Sequence, residues 1–281
     1  MIDLVAVSRA AACFEPLSTS VTRLAGLVAC DSADLAQIVE VVRYDQALTA
    51  ALLRGANSAW SASRTEVTTV TDAVVRLGAG PVMALAMGAN VKARFARAVP
   101  AYDLAEGELW SHSVAASLAA ETLVLVCKDR LPVETATAAL LHDVGKLIVT
   151  RFVDSADLGA IEAARELGAT RMKAEAEALG VDHAGLGEMI ARAWALPDAL
   201  VAGIARHHAP GAAEAGRTTL IAYGVHLADV VAKVVAGGND DNADLETFAR
   251  ATGELGLTAD GYDSVCNIVA QRFAEVSHRF A

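Results

Sequence analysis

The chain has 281 residues, 54% of them hydrophobic but only 5% aromatic, and a net charge of −11. This composition excludes a broad basic nucleic-acid footprint and favours helices rich in Ala, Val and Leu over sheets, for which Thr, Tyr and Phe are scarce. No apolar run of spanning length and no basic-then-apolar leader is read, so a cytoplasmic protein without membrane association is expected. The four cysteines, Cys13, Cys30, Cys127 and Cys266, form no CxxC pair, which argues against a disulfide framework or a cysteine zinc site.

The first hundred residues read as short helices. One begins at Asp31 to Asp34, acidic residues suited to a helix start, and carries Leu35, Ile38, Val39 and Val42. Tyr44 and Asp45 interrupt it, and the next helix carries Leu48, Leu52 and Leu53 as far as Asn57 and Ser58, which read as a cap or turn. Thr68 to Leu77 is a helix closed by Gly78, and Gly80-Pro81 opens another with Met83 to Val91 as its body. Pro100 to Leu104 marks a joint, followed by a long helix from about Ala105 to Cys127. On it Glu108 and His112 stand four apart and share one face.

Leu131-Pro132 precedes Ala138-Ala-Leu-Leu-His-Asp-Val-Gly-Lys-Leu-Ile-Val149. With Leu140, Leu141, Val144, Leu147 and Ile148 at helical spacing, this stretch reads as one buried helix carrying His142 and Asp143 side by side. A buried carboxylate needs a positive partner. A divalent cation supplies one, and a satisfied core histidine beside a capped aspartate is the structural alternative. Gly145 leaves room for close approach, and Lys146 adds a positive charge.

Val153 to Leu179 is polar, with Glu162, Arg165, Glu166, Lys173, Glu175 and Glu177 read as solvated faces. Asp182 is a helix cap that places His183 in a first turn; that helix runs through Ile190 and Trp194 and stops before Pro197. Pro197-Asp198 opens the next, ending in His207-His208, which either ligate or simply complement the helix dipole. A helix from about Thr218 to Val235 carries His226 and Asp229, the latter among Leu227, Ala228, Val230 and Val231. An unpaired carboxylate is costly there, so Asp229 reads as a ligand or a buried ion pair, with His226 supporting it or exposed. The acidic loop at 237–244 lacks EF-hand ligand spacing, Ala249 to Ala281 reads as one or two capping helices, and His278 looks incidental.

Five of the seven histidines fall into the series Glu108, His112, His142-Asp143, His183, His207-His208 and Asp229. One shared metal centre accounts for polar groups recurring in this way through apolar helices. The order resembles the HD superfamily of metal-dependent phosphohydrolases, and Glu108 four before His112 with Lys146 three after Asp143 is similar to the HD-GYP branch, whose matching positions bind two or three metals. Over residues 14–235 the stronger resemblance is to HDOD proteins, output domains of bacterial signalling. It is carried by Tyr44-Asp-Gln-Ala-Leu-Thr-Ala-Ala-Leu-Leu-Arg-Gly-Ala-Asn-Ser58, Thr71-Asp-Ala-Val-Val-Arg-Leu-Gly78, Trp110-Ser-His-Ser113, Leu140-Leu-His-Asp-Val-Gly-Lys146, Val181-Asp-His183 and Trp194-Ala-Leu-Pro197 leading to His207-His208.

The resemblance implies an all-α protein, with an N-terminal helical bundle over 1–100 packed on an HD-like metal-binding bundle over 101–281. It also implies one to three divalent ions, iron or manganese first and nickel or zinc as alternatives, held by Glu108, His112, His142, Asp143, His183, His207, His208 and Asp229. Many HDOD proteins have lost such ligands and act as non-enzymatic regulators. The Gly-Tyr-Pro signature of cyclic dinucleotide phosphodiesterases is missing after His208, where the chain reads Ala-Pro-Gly-Ala-Ala. The expectation is therefore a regulator acting through a signalling protein partner or a phosphate-containing small molecule. The alternative is a phosphohydrolase in which Asp143 helps activate water at the metals and Lys146 neutralises phosphate charge.

Overall fold

The computed structural model describes residues 4–30, 34–57, 66–127, 131–212, 216–237 and 245–277, and among these residues all regular structure is helical, as expected. Asp31, Ser58, the acidic loop from 238 to 244 and His278 lie outside the described residues.

The N-terminal part is built from α1 (Leu4–Ala12), α2 (Thr19–Val28), α3 (Leu35–Arg43), α4 (Gln46–Ala56), α5 (Val70–Leu77) and α6 (Ala79–Phe95). Local chemistry sets these boundaries. The Ser18, Asp34, Asp45 and Thr69 side chains accept backbone N–H groups at four successive helix starts, each satisfying donors that a helix leaves unpaired. Asn57 ends α4, and its amide bridges to the backbone of Val67 at 2.7 and 2.8 Å, a structural clasp. Gly78 links α5 to α6 with φ +77°, a conformation that side chains rarely adopt.

A 3-10 turn (Pro100–Tyr102) leads into α7 (Glu108–Val126), α8 (Thr135–Leu141), α9 (Lys146–Phe152), α10 (Ser155–Glu166), α11 (Arg171–Leu179), α12 (His183–Ala193), α13 (Asp198–Arg206) and α14 (Arg217–Ala236). Two closing helices follow, α15 (Leu245–Leu255) and α16 (Ala259–Ser277). The centre of the molecule is α7 packed on α14, α8 and α16. Buried Ala115, Ala116, Ala119 and Ala120 of α7, with Ala136, Ala138 and Ala139 of α8, let these backbones approach closely. Arg272 of α16 donates to Glu121 and to the Thr122 hydroxyl, fastening the last helix to α7. One continuous apolar core runs from Val7 in α1 to Val269 in α16, so the two parts are packed on each other.

Two sequence expectations need correction. Helices α7 and α14 are long and apolar enough to cross a membrane; in the bundle 56% and 67% of their most apolar windows are buried against other helices. And 138–149 is not one helix. α8 ends at Leu141 and α9 begins at Lys146, with His142 to Gly145 forming a tight turn between them. The bonds Val144 N–H to Leu141 C=O (2.9 Å) and Lys146 N–H to Asp143 C=O (3.0 Å) are of the i to i+3 kind. The turn is tight because its backbone lies against the start of α12: a Cβ on Gly145 would overlap the His183 carbonyl oxygen and lie 2.7 Å from the Gly187 nitrogen.

Gly145→Ala is accordingly expected to lower unfolding stability by about 1–3 kcal/mol or more in urea titrations. Gly159→Ala, where an added Cβ meets nothing within 4 Å on α10, is expected to raise it by about 1 kcal/mol.

Candidate metal centre

Four helices and one turn deliver the side chains. His112 comes from α7, His142 and Asp143 from the α8–α9 turn, His183 from the first residue of α12, His207 and His208 from the end of α13, and Asp229 from α14. His142 and His207 occupy equivalent places: each caps its helix, and each Nδ1 lies 2.7 Å from the carbonyl three residues back, of Ala139 and Ile204. Helix ends leave such carbonyls without partners, so the Nδ1–H donates there and the Nε2 lone pair faces inward. His183 is fixed similarly. Its Nδ1 lies 2.7 Å from Glu175 Oε2, and its backbone N–H donates to the same oxygen at 2.9 Å.

The Nε2 atoms and carboxylates form two adjoining lobes. In the first, His112 Nε2 lies 3.3 Å from His142 Nε2 and 3.1 Å from Asp229 Oδ1. In the second, His183 Nε2 lies 2.9 Å from His208 Nε2, and His207 joins them. Asp143 offers one oxygen to each lobe: Oδ2 is 3.3 Å from His142 Nε2 and 3.6 Å from His112 Nε2, and Oδ1 is 3.5 Å from His183 Nε2. His142, Asp143 and His207 also form a triad of their own. The Nε2 of fully buried His207 has no hydrogen-bond partner, a costly condition that a cation would relieve.

Two lysines balance the carboxylates. Lys146 Nζ is 2.6 Å from Asp143 Oδ2, and Lys233 Nζ is 2.8 Å from Asp229 Oδ2. Burial penalises both carboxylate charges, but His142 and Lys146 hold Asp143, and Lys233, His112 and His142 hold Asp229, well below the usual range. Burial also presses on the histidines. His207 falls well below its ordinary value and His208 to about 3, helped by neighbouring imidazoles, and His112 is lowered. At His142 the same burial is outweighed by Asp143 and Asp229, which carry it up to about 10. A cation bound at His142 Nε2 would compete with the proton that these two carboxylates favour there.

Of the eight residues predicted to ligate, the structure brings seven together. Glu108 is placed elsewhere: it is exposed at the start of α7, and its carboxylate turns back to accept the Ala105 N–H at 2.7 Å, while its charge suits the positive end of the helix. His226 is buried behind the cluster, its Nδ1 donating to the His207 carbonyl at 2.8 Å. Glu175 corrects the reading of α11 as wholly solvated. It is fully buried, and although burial raises its pKa, His183 holds it down at about 2. Its signal was faint: one carboxylate among many, eight residues before a histidine. Lys233 was not read from the sequence; its signal was its place four after Asp229, one helical turn away as Lys146 is three after Asp143. Tyr102 of the 3-10 turn, packed edge-on to His183 with Lys146 and Arg171 over its ring, carried no sequence signal.

The donor set suits the inferred group. Oriented imidazole lone pairs and two carboxylates match a borderline or hard divalent ion, and second contacts such as Glu175 to His183 are the kind that fix metal-binding histidines.

The family model describing the HDOD domain matches residues 15–210. No similar sequence was found among curated proteins. Among solved structures, an HDOD domain protein of unknown function from Geobacter sulfurreducens is similar with TM-score 0.71 and 20% identity, over 99% of this chain and 98% of that one. A protein from Shewanella amazonensis SB2B, provisionally named a phosphohydrolase, has TM-score 0.68 and 26% identity over 98% of both chains. Another from the same organism, provisionally named a metal-dependent phosphohydrolase, has TM-score 0.57 and 18% identity over 96% of this chain and 97% of that one. With the family model covering most of its length and the helical architecture in agreement, the chain belongs to the HDOD family.

Proposed function

We propose that this protein is a cytoplasmic signalling regulator of the HDOD family that holds a divalent metal centre and recognises a phosphate-bearing small molecule there, reporting it to a signalling protein partner. The observation that supports this reading is the convergence of five Nε2 atoms and two carboxylates, with the His207 Nε2 left unpartnered in the interior. His112, His142 and Asp229 would hold one ion, and His183, His207 and His208 a second, with Asp143 serving both. Iron or manganese is the first choice for this nitrogen and oxygen set, nickel or zinc the next. Such ions supply Lewis acidity toward phosphoryl oxygens.

The chain's own residues favour an anionic ligand. Lys146, Lys233 and His112 are partly exposed, at 19%, 25% and 18% side-chain exposure, as is His208, so two lysine charges stand on the approachable side while Asp143 and Asp229 lie beneath. Lys146 is fixed by Asp143 and by Tyr102, whose ring centroid is 5.2 Å from Nζ, and thus offers a positioned charge.

Phosphohydrolase activity is a second reading, favoured by the same partly exposed His112 beside Asp229 and the two lysines. Cyclic di-GMP is not the expected substrate, because the Gly-Tyr-Pro segment is missing.

Elemental analysis of untagged protein is expected to give about two equivalents of divalent metal, and the double variant His142→Ala, Asp143→Ala to give essentially none with helical circular dichroism retained. Equal metal in both would overturn the assignment. Glu175→Gln is expected to weaken metal affinity roughly 10–100-fold; an unchanged affinity would show that the Glu175–His183 bond serves folding only. A phosphomonoesterase and phosphodiesterase screen of the loaded protein separates the readings: turnover abolished in the double variant establishes the enzyme, whereas saturable binding of a phosphorylated compound without turnover establishes the regulator.

A further inference from the structure

A second cationic site lies away from the metal ligands. The loop after α1, the carboxyl end of α6 and the outer face of α9 enclose a cavity of about 110 Å³, lined by Phe14, Glu15, Arg94, Arg97, Thr150 and Arg151. In a chain of net charge −11, three guanidinium groups here face one carboxylate. Arg94 and Arg151 lie over the Phe14 ring at 5.9 and 5.4 Å. Trp194 backs that ring at 5.9 Å and donates its Nε1–H to the Glu15 carbonyl, fixing the loop. Glu15 accepts from Arg94 Nε at 2.8 Å. Its carboxyl is held below the usual range by Arg94 first and by Arg97 and Arg151 as well, so all three guanidiniums act on this one point.

Two buried polar atoms of the lining lack hydrogen-bond partners: Arg94 Nη1 and Thr150 Oγ1. Cations at a helix carboxyl end complement its dipole, which accounts for the charge of Arg94 and Arg97 but not for an unpartnered guanidinium nitrogen and a hydroxyl on one cavity. Buried donors of this kind ordinarily have an acceptor.

We propose that this cavity binds a small phosphorylated anion, with Arg94, Arg97 and Arg151 and the Thr150 hydroxyl as its ligands. Three guanidiniums less one carboxylate leave a local charge of about +2, which a phosphate group of about −1.5 to −2 neutralises. Guanidinium groups present the planar forks that phosphate oxygens accept. Thr150 and Arg151 lie on the helix that begins with Lys146, so this is an accessory site beside the metal centre. It does not depend on the metal reading.

The test is isothermal titration with inorganic phosphate and with GMP, on metal-loaded protein and after chelation. Saturable binding that survives chelation, and that weakens roughly tenfold or more in the Arg97→Ala, Arg151→Ala double variant and measurably in Thr150→Val, is the expected result. Both arginines are exposed, so folding is expected to persist, as circular dichroism would check. Glu15→Gln is expected to tighten binding by removing the competing charge. Stronger binding of GMP than of phosphate would identify a nucleotide as the source of the phosphate group, and equal binding would identify the free anion. Binding lost on chelation, binding indifferent to the arginine variants, or none at about 10 mM phosphate would overturn the proposal.

Discussion

The carboxylate of Asp143 is the constraint on which the rest of the structure depends. It is 2% exposed in the middle of an apolar bundle, where an uncompensated charge costs several kcal/mol. The bundle compensates it from three directions: Lys146 from the next helix, His142 from the preceding residue and His183 from α12. Each compensation requires a backbone arrangement. The chain must leave the α-helix at His142, turn within four residues and press Gly145 onto the α12 backbone. Small residues between α7 and α8 serve the same end, bringing His112 within 3.6 Å of the same carboxylate.

The histidines follow one design. Three of them spend Nδ1 on a fixed acceptor and turn Nε2 inward. Helix ends supply two of those acceptors at no cost in additional residues, because the carbonyls are orphaned in any case. The third acceptor is a buried glutamate, itself held by Arg171 at 3.2 Å. A cluster oriented in this way, with an unpartnered Nε2 at its centre, fits the cation proposed for it, and the basic cavity at the far end of α9 fits the proposed anion.

Much of this was legible in the sequence because the cluster is built from rare residue types. Five histidines and two aspartates set among alanines and leucines stand out against an apolar background, and the caps at Asp34, Asp45 and Asp182 announce their helices. Glu108 misled because a four-residue spacing to a histidine describes a shared helix face, whereas this exposed carboxylate turns back to accept the Ala105 N–H ahead of the helix. Glu175 escaped because burial of one glutamate among the many of α10 and α11 is decided by tertiary packing. The break at His142 escaped because apolar spacing continues through it; only the contact of Gly145 with α12 makes it necessary.

The most direct measurement is anomalous X-ray diffraction at the metal edge on crystals of the loaded protein. The account predicts two anomalous peaks, one among His112, His142 and Asp229 and one among His183, His207 and His208, with an Asp143 oxygen on each. A metal-replete protein with no peak among these residues would contradict it.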